Sequence, residues 1–365
     1  MNICIIGDGI VSRTLAKTLT NKKINVDLYH QKKSINLKSS RTIGIAQNNY
    51  KFLTEEVYKF KKNEKWEINK IAIYSEKKDL NEILNFNKKN NKLFYMVKNN
   101  LFYQALKKKL IKNKYFKQLT INKNNFYTKL LKEKKYDLII NCDPNNHLSK
   151  KYFSRKIEKD YNNLSFTTIL EHDKIDNNTA IQIFTKYGPI AFLPISNIQT
   201  SVVYSLEIKN KNFSNQDVLN LIKNNNLKYK IKKVFKLESF KIKSSNLRNY
   251  YSNNILAFGD LLHRIHPLAG QGFNMTVRDI KILSEIIQNK IDLGLQLDSL
   301  IFEEFEKKTK HLNFVFSNGI DLIYELFNKN KNHNDENLNK ILKYLGKKIN
   351  INSTFIKLAD NGLNI

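Results

Sequence analysis

Two glycine-rich turns, far apart in a 365-residue chain, hold the residues whose types and spacing can do chemistry. The first follows the apolar run Asn2 to Ile6 and reads Gly7-Asp8-Gly9 before a helical pattern begins. Gly7 permits a tight turn out of a strand, and Gly9 lets the main chain approach a pyrophosphate. A helix starting near Ile10 then aims free N–H groups and a positive dipole end at phosphates. Ser12 takes the third position of the GxGxxG spacing, and Asp8 between the glycines is expected to face solvent. The second turn runs from Gly259 to Asn274, GDLLHRIHPLAGQGFN. Ile255 to Phe258 has the pattern of a buried strand, which puts Asp260 at the carboxyl edge, where open α/β sheets bind ligands. A carboxylate there accepts hydrogen bonds from hydroxyl groups. Pro267 fixes the chain as it turns back, while Gly270 and Gly272, either side of Gln271, leave room for a flat ring on the backbone. A helix from Gly272 directs the N–H groups of Phe273 and Asn274 at the edge of that ring, where they stabilise negative charge.

Positioning both turns at one place requires a parallel sheet assembled from distant segments. Strand patterns at 2–6 and 25–29 flank a helix and give a βαβ start, and a third strand is expected at 136–142. A long Lys- and Asn-rich stretch separates them. Residues 163–208 contain several β-rich runs, among them Ala180 to Phe184 and Ser201 to Leu206, which read as a sheet roofing the cofactor. The chain returns to the first sheet near 253 and is mostly helical from about 275. In that tail Leu312, Phe316, Ile320, Ile323 and Phe327 recur at helical spacing. They read as a core-facing stripe, with a membrane or partner surface as the alternative.

The two turns together resemble those of the flavoprotein monooxygenases of the para-hydroxybenzoate hydroxylase type, most closely the ubiquinone-biosynthesis hydroxylases. Ser40-Arg41-Thr42-Ile43-Gly44-Ile45-Ala46 resembles the Arg-containing segment after the second strand of that family. Met96-Val97-Lys98-Asn99-Asn100-Leu101 resembles its Val-Glu-Asn segment, with Lys98 replacing the Glu, and Ile183 to Pro194 resembles the substrate-domain strand pair of the quinone branch. The resemblance implies an α/β fold: an FAD-binding Rossmann-like lobe (1–70, 97–160 and 248–290), a β-rich substrate lobe (71–96 and 161–247) and C-terminal helices (291–365). It implies FAD held by Gly7, Gly9, Ser12, His30, Arg41, Asn99, Asp260, Gly270, Gln271, Gly272, Phe273 and Asn274. Pro267 and Arg41 take the catalytic places, although Arg41 also reads as an ordinary exposed arginine.

The implied reaction is ring hydroxylation of a polyprenylated ubiquinone precursor. FAD, reduced by NAD(P)H or another donor, adds oxygen as a C4a-hydroperoxide and passes one atom to the ring, so that no protein nucleophile or metal is needed. Another flavin oxidoreductase on the same fold, or a non-catalytic flavoprotein scaffold of quinone synthesis, stays open at this point. Three departures from the family bear on the grip, one of them Ser12 in place of the third glycine. The second strand ends at His30 where an acidic residue ordinarily holds the adenosine ribose, and an imidazole is a poorer partner for two hydroxyls. Pro144 stands where the fingerprint Tyr136 to Pro144 expects Gly, so that turn should be built differently.

Lys and Arg number 63 against 33 Asp and Glu, a formal net charge of +30. The lysines are dispersed and no nucleic-acid-binding signature accompanies them, so nucleic acid is not expected as a partner. Anionic headgroups at a membrane surface are, as are other quinone-biosynthesis proteins. Cys4 and Cys142 sit in apolar runs without CxxC spacing and read as reduced thiols of a cytoplasmic protein, peripheral at the inner membrane. No run approaches the length of a spanning helix, and a core strand directly after Met1 leaves no room for a signal peptide. His263 and His266 make only two potential ligands, so no metal is expected and a polar role in the loop is favoured.

Overall fold

A computed structural model of the chain describes residues 1–31, 40–75, 82–87, 92–122, 126–208, 213–267 and 270–333. Ile3, Cys4, Ile5 and Ile6 are all essentially inaccessible to solvent, which places Asn2–Ile6 inside a sheet covered on both faces. That strand pairs in parallel with Asn25–Gln31 on one side and Leu138–Asn141 on the other. The six-stranded sheet continues outward through Phe116–Ile121 at one edge and through Ile255–Ala257 and Tyr251–Ser252 at the other. Only the last pairing is antiparallel. The helix Ile10–Asn21 packs its Leu15, Ala16 and Leu19 into the same core, completing the βαβ unit.

A second, nine-stranded sheet is mostly antiparallel and is built around Lys156–His172, with Glu238–Leu247 on one side and Gln199–Glu207, Gly188–Pro194 and Thr179–Thr185 on the other. The excursion between the early strands and residue 136 contributes to it, since Lys70–Ser75 joins in parallel beside Thr179–Thr185 and Glu82–Asn87 follows it. A small three-stranded sheet, in the order Thr42–Ala46, Phe94–Lys98 and Lys65–Ile68, lies between these two systems in the chain. The Ile183 to Pro194 motif is a tight hairpin turning at Lys186-Tyr187. Gly188 there has φ +134, and a Cβ on it would fall 1.9 Å from the Ser205 carbonyl oxygen, so the third strand approaches too closely for any side chain.

Two helices close the described chain, Gly272–Asp292 and Leu300–His333. Leu312 and Ile320 are buried and Phe316 packs beside Phe184 and Ile265, so the stripe read from spacing is core-facing where side chains are described. Ile323 and Phe327 have side chains outside the described residues, as does all of 334–365. The same helix is tied to the large sheet: Tyr324 donates its hydroxyl to the Asn163 side-chain oxygen, and Tyr161 donates to Asp321. Replacing Gly188 with Ala should cost about 2–5 kcal/mol, combining left-handed backbone strain with overpacking. Gly319→Ala, at a helical position with nothing within 4 Å, should instead stabilise by about 0.5–1 kcal/mol. Chemical denaturation of the two variants checks the contrast.

Candidate functional site

The carboxyl ends of three neighbouring parallel strands bring the two glycine turns together. Gly7 has φ +118 and donates its N–H to the Tyr29 carbonyl at 2.8 Å, and a Cβ there would press on Ser12 Oγ at 3.2 Å and Asp143 N at 3.4 Å. Gly9 is different: nothing lies within 4 Å of where its Cβ would be. The helix Ile10–Asn21 starts at that open position with no side-chain cap, so its first N–H groups are left for a ligand. From the adjoining strand, Gly259 (φ +64) turns the chain so closely over the first helix that a Cβ would meet Val11 Cγ1 at 2.9 Å. Asp260 follows it, exposed, at the mouth of the same edge. Cys142 lies between the turns, hydrogen-bonded to Ser12, and burial with help from Asp143 and Asp260 pushes its thiol up to about 12. Both cysteines are free thiols.

The loop beyond Asp260 is fastened to the small sheet. Gly270, with φ +65, donates its N–H to the Pro267 carbonyl at 3.1 Å, and a Cβ on it would come within 4.0 Å of Gly44 N. The buried Asn274 amide accepts from Ala46 N at 2.9 Å and from Asn49 Nδ2 at 3.1 Å, and donates to the Gly44 carbonyl at 2.9 Å. Its side chain therefore welds the loop to the strand Thr42–Ala46, leaving only its backbone N–H in the helix's first turn for a ligand. Phe273 turns its ring edge-on to Phe102 at 6.4 Å. Arg41 is exposed, and its carbonyl accepts the Asn99 N–H at 3.1 Å. Two buried acceptors around this loop have no hydrogen-bond partner, Asn99 Oδ1 and Gln271 Oε1. Hydroxyl and imide N–H donors of an FAD molecule would satisfy them, and the open side of Gly9 suits its pyrophosphate, so the residues present fit that cofactor.

One reading from sequence changes in this light, and two others gain their structural detail. Asp8 does not face solvent: its carboxylate pairs with the fully buried Arg13 guanidinium at 2.5 Å and accepts the Tyr103 hydroxyl at 3.1 Å. Arg13 carries no motif, and its only signal is a cation four residues past Gly9, in a helical stretch whose one other charge is Lys17. His30 lies at the end of the second strand as expected, yet both ring nitrogens are engaged, Nδ1 by the Gln31 carbonyl at 2.9 Å and Nε2 by Gln118 at 3.0 Å. The turn at Pro144 is indeed built differently. Asn141, Asp143, Asn146 and Ser149 form it through side chains, with Asp143 accepting from Asn145 N at 2.9 Å and Asn146 capping the next helix. Lys98, in place of the family's Glu, reaches the large sheet and donates to Gln199 at 3.0 Å, and burial lowers its pKa.

The two loop histidines part company. His263 pairs with buried Asp279 at 2.6 Å, pinning the loop's start to the helix Gly272–Asp292. His266 packs edge-on to Tyr161 at 4.9 Å and against Tyr324 at 4.3 Å. Among the described residues no group of His, Cys, Asp and Glu is arranged to hold a metal.

Comparison with known proteins agrees with this geometry. Residues 153–292 match a family model described as an FAD binding domain. The mitochondrial ubiquinone biosynthesis monooxygenase COQ6 of Dictyostelium discoideum is 24% identical, over 90% of this chain and 85% of its own. The 3-demethoxyubiquinol 3-hydroxylase of Escherichia coli is 28% identical over 41% of this chain and 40% of its own. The chain resembles the FAD-dependent aromatic-ring monooxygenases. Its fold is theirs as well: p-nitrophenol 4-monooxygenase PnpA from Pseudomonas putida superposes with TM-score 0.77 at 11% identity, covering 100% of this chain and 98% of that one. HpxO of Klebsiella pneumoniae complexed with FAD gives 0.70 at 12% identity, covering 100% and 99%.

One consequence concerns acid. Burial, helped by Lys159, lowers the His266 pKa from 6.5 to about 3, so the folded protein keeps this ring neutral while the unfolded chain protonates it. Its contribution is fully present above pH 6.5 and is lost as pH falls toward 3, amounting to about 2 kcal/mol at pH 5. His266→Phe, which keeps the aromatic contacts, should lower the loss of melting temperature between pH 7.5 and pH 5, and an unchanged loss would remove His266 from the acid response.

Proposed function

We propose that this FAD-dependent monooxygenase hydroxylates the ring of a polyprenylated ubiquinone precursor. The observation that carries the reading is where the cofactor loop closes: Ile265, two residues before Pro267, packs with Met275, Phe184 of the large sheet and Ile320 of the last long helix, with Ile73 and Phe316 beside them. An apolar wall of this kind excludes water beside the reacting ring and suits a greasy substrate. The likeness to COQ6 along most of both chains favours the quinone branch over other flavin enzymes of the fold.

Bound FAD supplies oxygen activation at C4a, with reducing equivalents from NAD(P)H or another donor. The protein's share is binding, orientation and exclusion of water. The N–H groups from Gly9 to Ser12 hold the pyrophosphate, Asp260 accepts from a ribityl hydroxyl, and Asn99 and Gln271 take the remaining donors. Pro267, Gly270 and the first turn of the helix from Gly272, with the Phe273 and Asn274 N–H groups, flank the ring. Arg41, which is exposed, takes an anionic group of cofactor or reductant. We assign 1–70, 97–160 and 248–290 to the flavin lobe, 71–96 and 161–247 to the substrate lobe, and 291–365 to the C-terminal helices.

A long isoprenoid tail stays in lipid, so the enzyme works at a membrane surface. Among the described residues no helix is long and apolar enough to cross a membrane. The helix Leu300–His333 exposes Phe314, Val315 and Leu322, and the cationic excess of the chain suits anionic headgroups. We place the enzyme in the cytoplasm, peripheral on the inner membrane, working alongside other quinone-biosynthesis proteins.

Asp260→Ala should weaken FAD by about 1.5–3 kcal/mol, the value of a charge-assisted hydrogen bond, in a flavin-fluorescence titration. Unchanged affinity would remove Asp260 from the site. Cells lacking the protein should accumulate an under-hydroxylated quinone intermediate by mass spectrometry, with the product restored by the wild-type gene. Unaltered quinone composition, in a cell with no redundant hydroxylase, would end the quinone reading even with FAD bound.

A further inference from the structure

A carboxylate in the middle of a phosphate-binding turn is an electrostatic problem. Asp8 stands between the two glycines whose N–H groups and following helix must face an anion, and a free carboxylate there would repel that anion across a few ångströms. The structure answers with Arg13, one turn into the same helix. Its side chain is completely buried and its guanidinium Nη2 lies 2.5 Å from Asp8 Oδ1, while the plane sits over the Tyr103 ring at 4.6 Å and Tyr103 donates its hydroxyl to Asp8 Oδ2 at 3.1 Å. Arg13 Nη2 also reaches Gln118 Oε1 at 3.4 Å, and the Gln118 amide holds His30. A row of side chains thus runs from the glycine turn to the end of the second strand, where the adenosine ribose is expected.

We propose that Arg13 is a positioning residue for the cofactor: it neutralises Asp8, holds that carboxylate on Tyr103 away from the phosphates, and so keeps the first turn of the helix net positive toward FAD. The inference rests on the FAD reading of the site. Arg13 acts through Asp8, so the effects of the two residues on FAD affinity are coupled. The Nε and Nη1 atoms of Arg13 have no partner of their own, so the ion pair with Asp8 is the chief satisfaction of this buried charge, and removing either member leaves the other exposed to its full electrostatic cost.

The test is a double-mutant cycle on FAD affinity, measured by fluorescence titration of the full chain stripped of flavin, with the melting temperature of each flavin-free variant recorded in parallel. Arg13→Met should raise the FAD Kd by about 10–100-fold, because Asp8 then faces the phosphates unneutralised. Asp8→Asn should lower Kd about threefold or more, with a steeper salt dependence, because the uncompensated cation now adds to the field. The double variant should return to within about threefold of wild type. Equal weakening in Arg13→Met and in the double variant would overturn the proposal, since Arg13 would then act on FAD without Asp8. Weakening by Asp8→Asn as large as that by Arg13→Met would overturn it too, since the pair would then be only a structural tie. If Arg13→Met shows no unfolding transition, the Asp8→Asn and double-variant arms still decide. Wild-type protein that binds no FAD would sink the cofactor reading itself, whereas wild-type binding without coupling sinks only this inference.

Discussion

The parallel pairing of Asn2–Ile6 with strands drawn from residues 25–31 and 138–141 is the constraint on which the rest depends. A parallel ladder puts the carboxyl ends of its strands on one edge, and each strand hands its chain to a loop there. Once Ile255–Ala257 adds itself beside Leu138–Asn141, the turns after residues 6, 141 and 257 converge whatever their distance in sequence. The glycines then follow from crowding. Gly7 sits against Ser12 and Asp143, Gly259 against Val11, and only Gly9 is left facing space that a ligand can enter.

The second constraint is a weld. Asn274 spends its side chain on Gly44, Ala46 and Asn49, tying the entry of one helix to a strand more than two hundred residues earlier. His263 does the same at the other end of the loop through Asp279, whose second oxygen accepts from Arg278. These polar ties are buried, where an unsatisfied group is expensive, so they fix the loop's position more strictly than apolar contact alone would.

Electrostatics at this edge work against a background of cationic excess. Several surface lysines pair with carboxylates at exposed positions, and such pairs contribute little to stability. The charges that matter are few and withdrawn from water: Arg13 on Asp8, Asp279 between His263 and Arg278, and Lys98 carried into the large sheet. Each sits at a junction between segments that the sequence keeps apart.

Much of this was legible in the sequence because it depends on local rules. The βαβ start, the strands near 136–142, 179–185 and 199–207, and the two glycine turns follow from apolar runs and from residues that tolerate unusual backbone, and the fold has a strand or turn at each. Asp260 at a strand end and Gly9 at a helix start needed no tertiary information. What sequence could not decide were partners. Asp8 looked solvated because nothing local shows that Arg13 and Tyr103, on two different helices, close around it. Sequence could not show that Gln118 from the neighbouring strand engages a His30 ring nitrogen, nor that four polar side chains build the turn at Pro144. Backbone conformation is set by the residue and its neighbours in the chain, so sequence determines it. The pairing of charged and polar side chains depends on which distant elements pack together, and only the tertiary structure decides that.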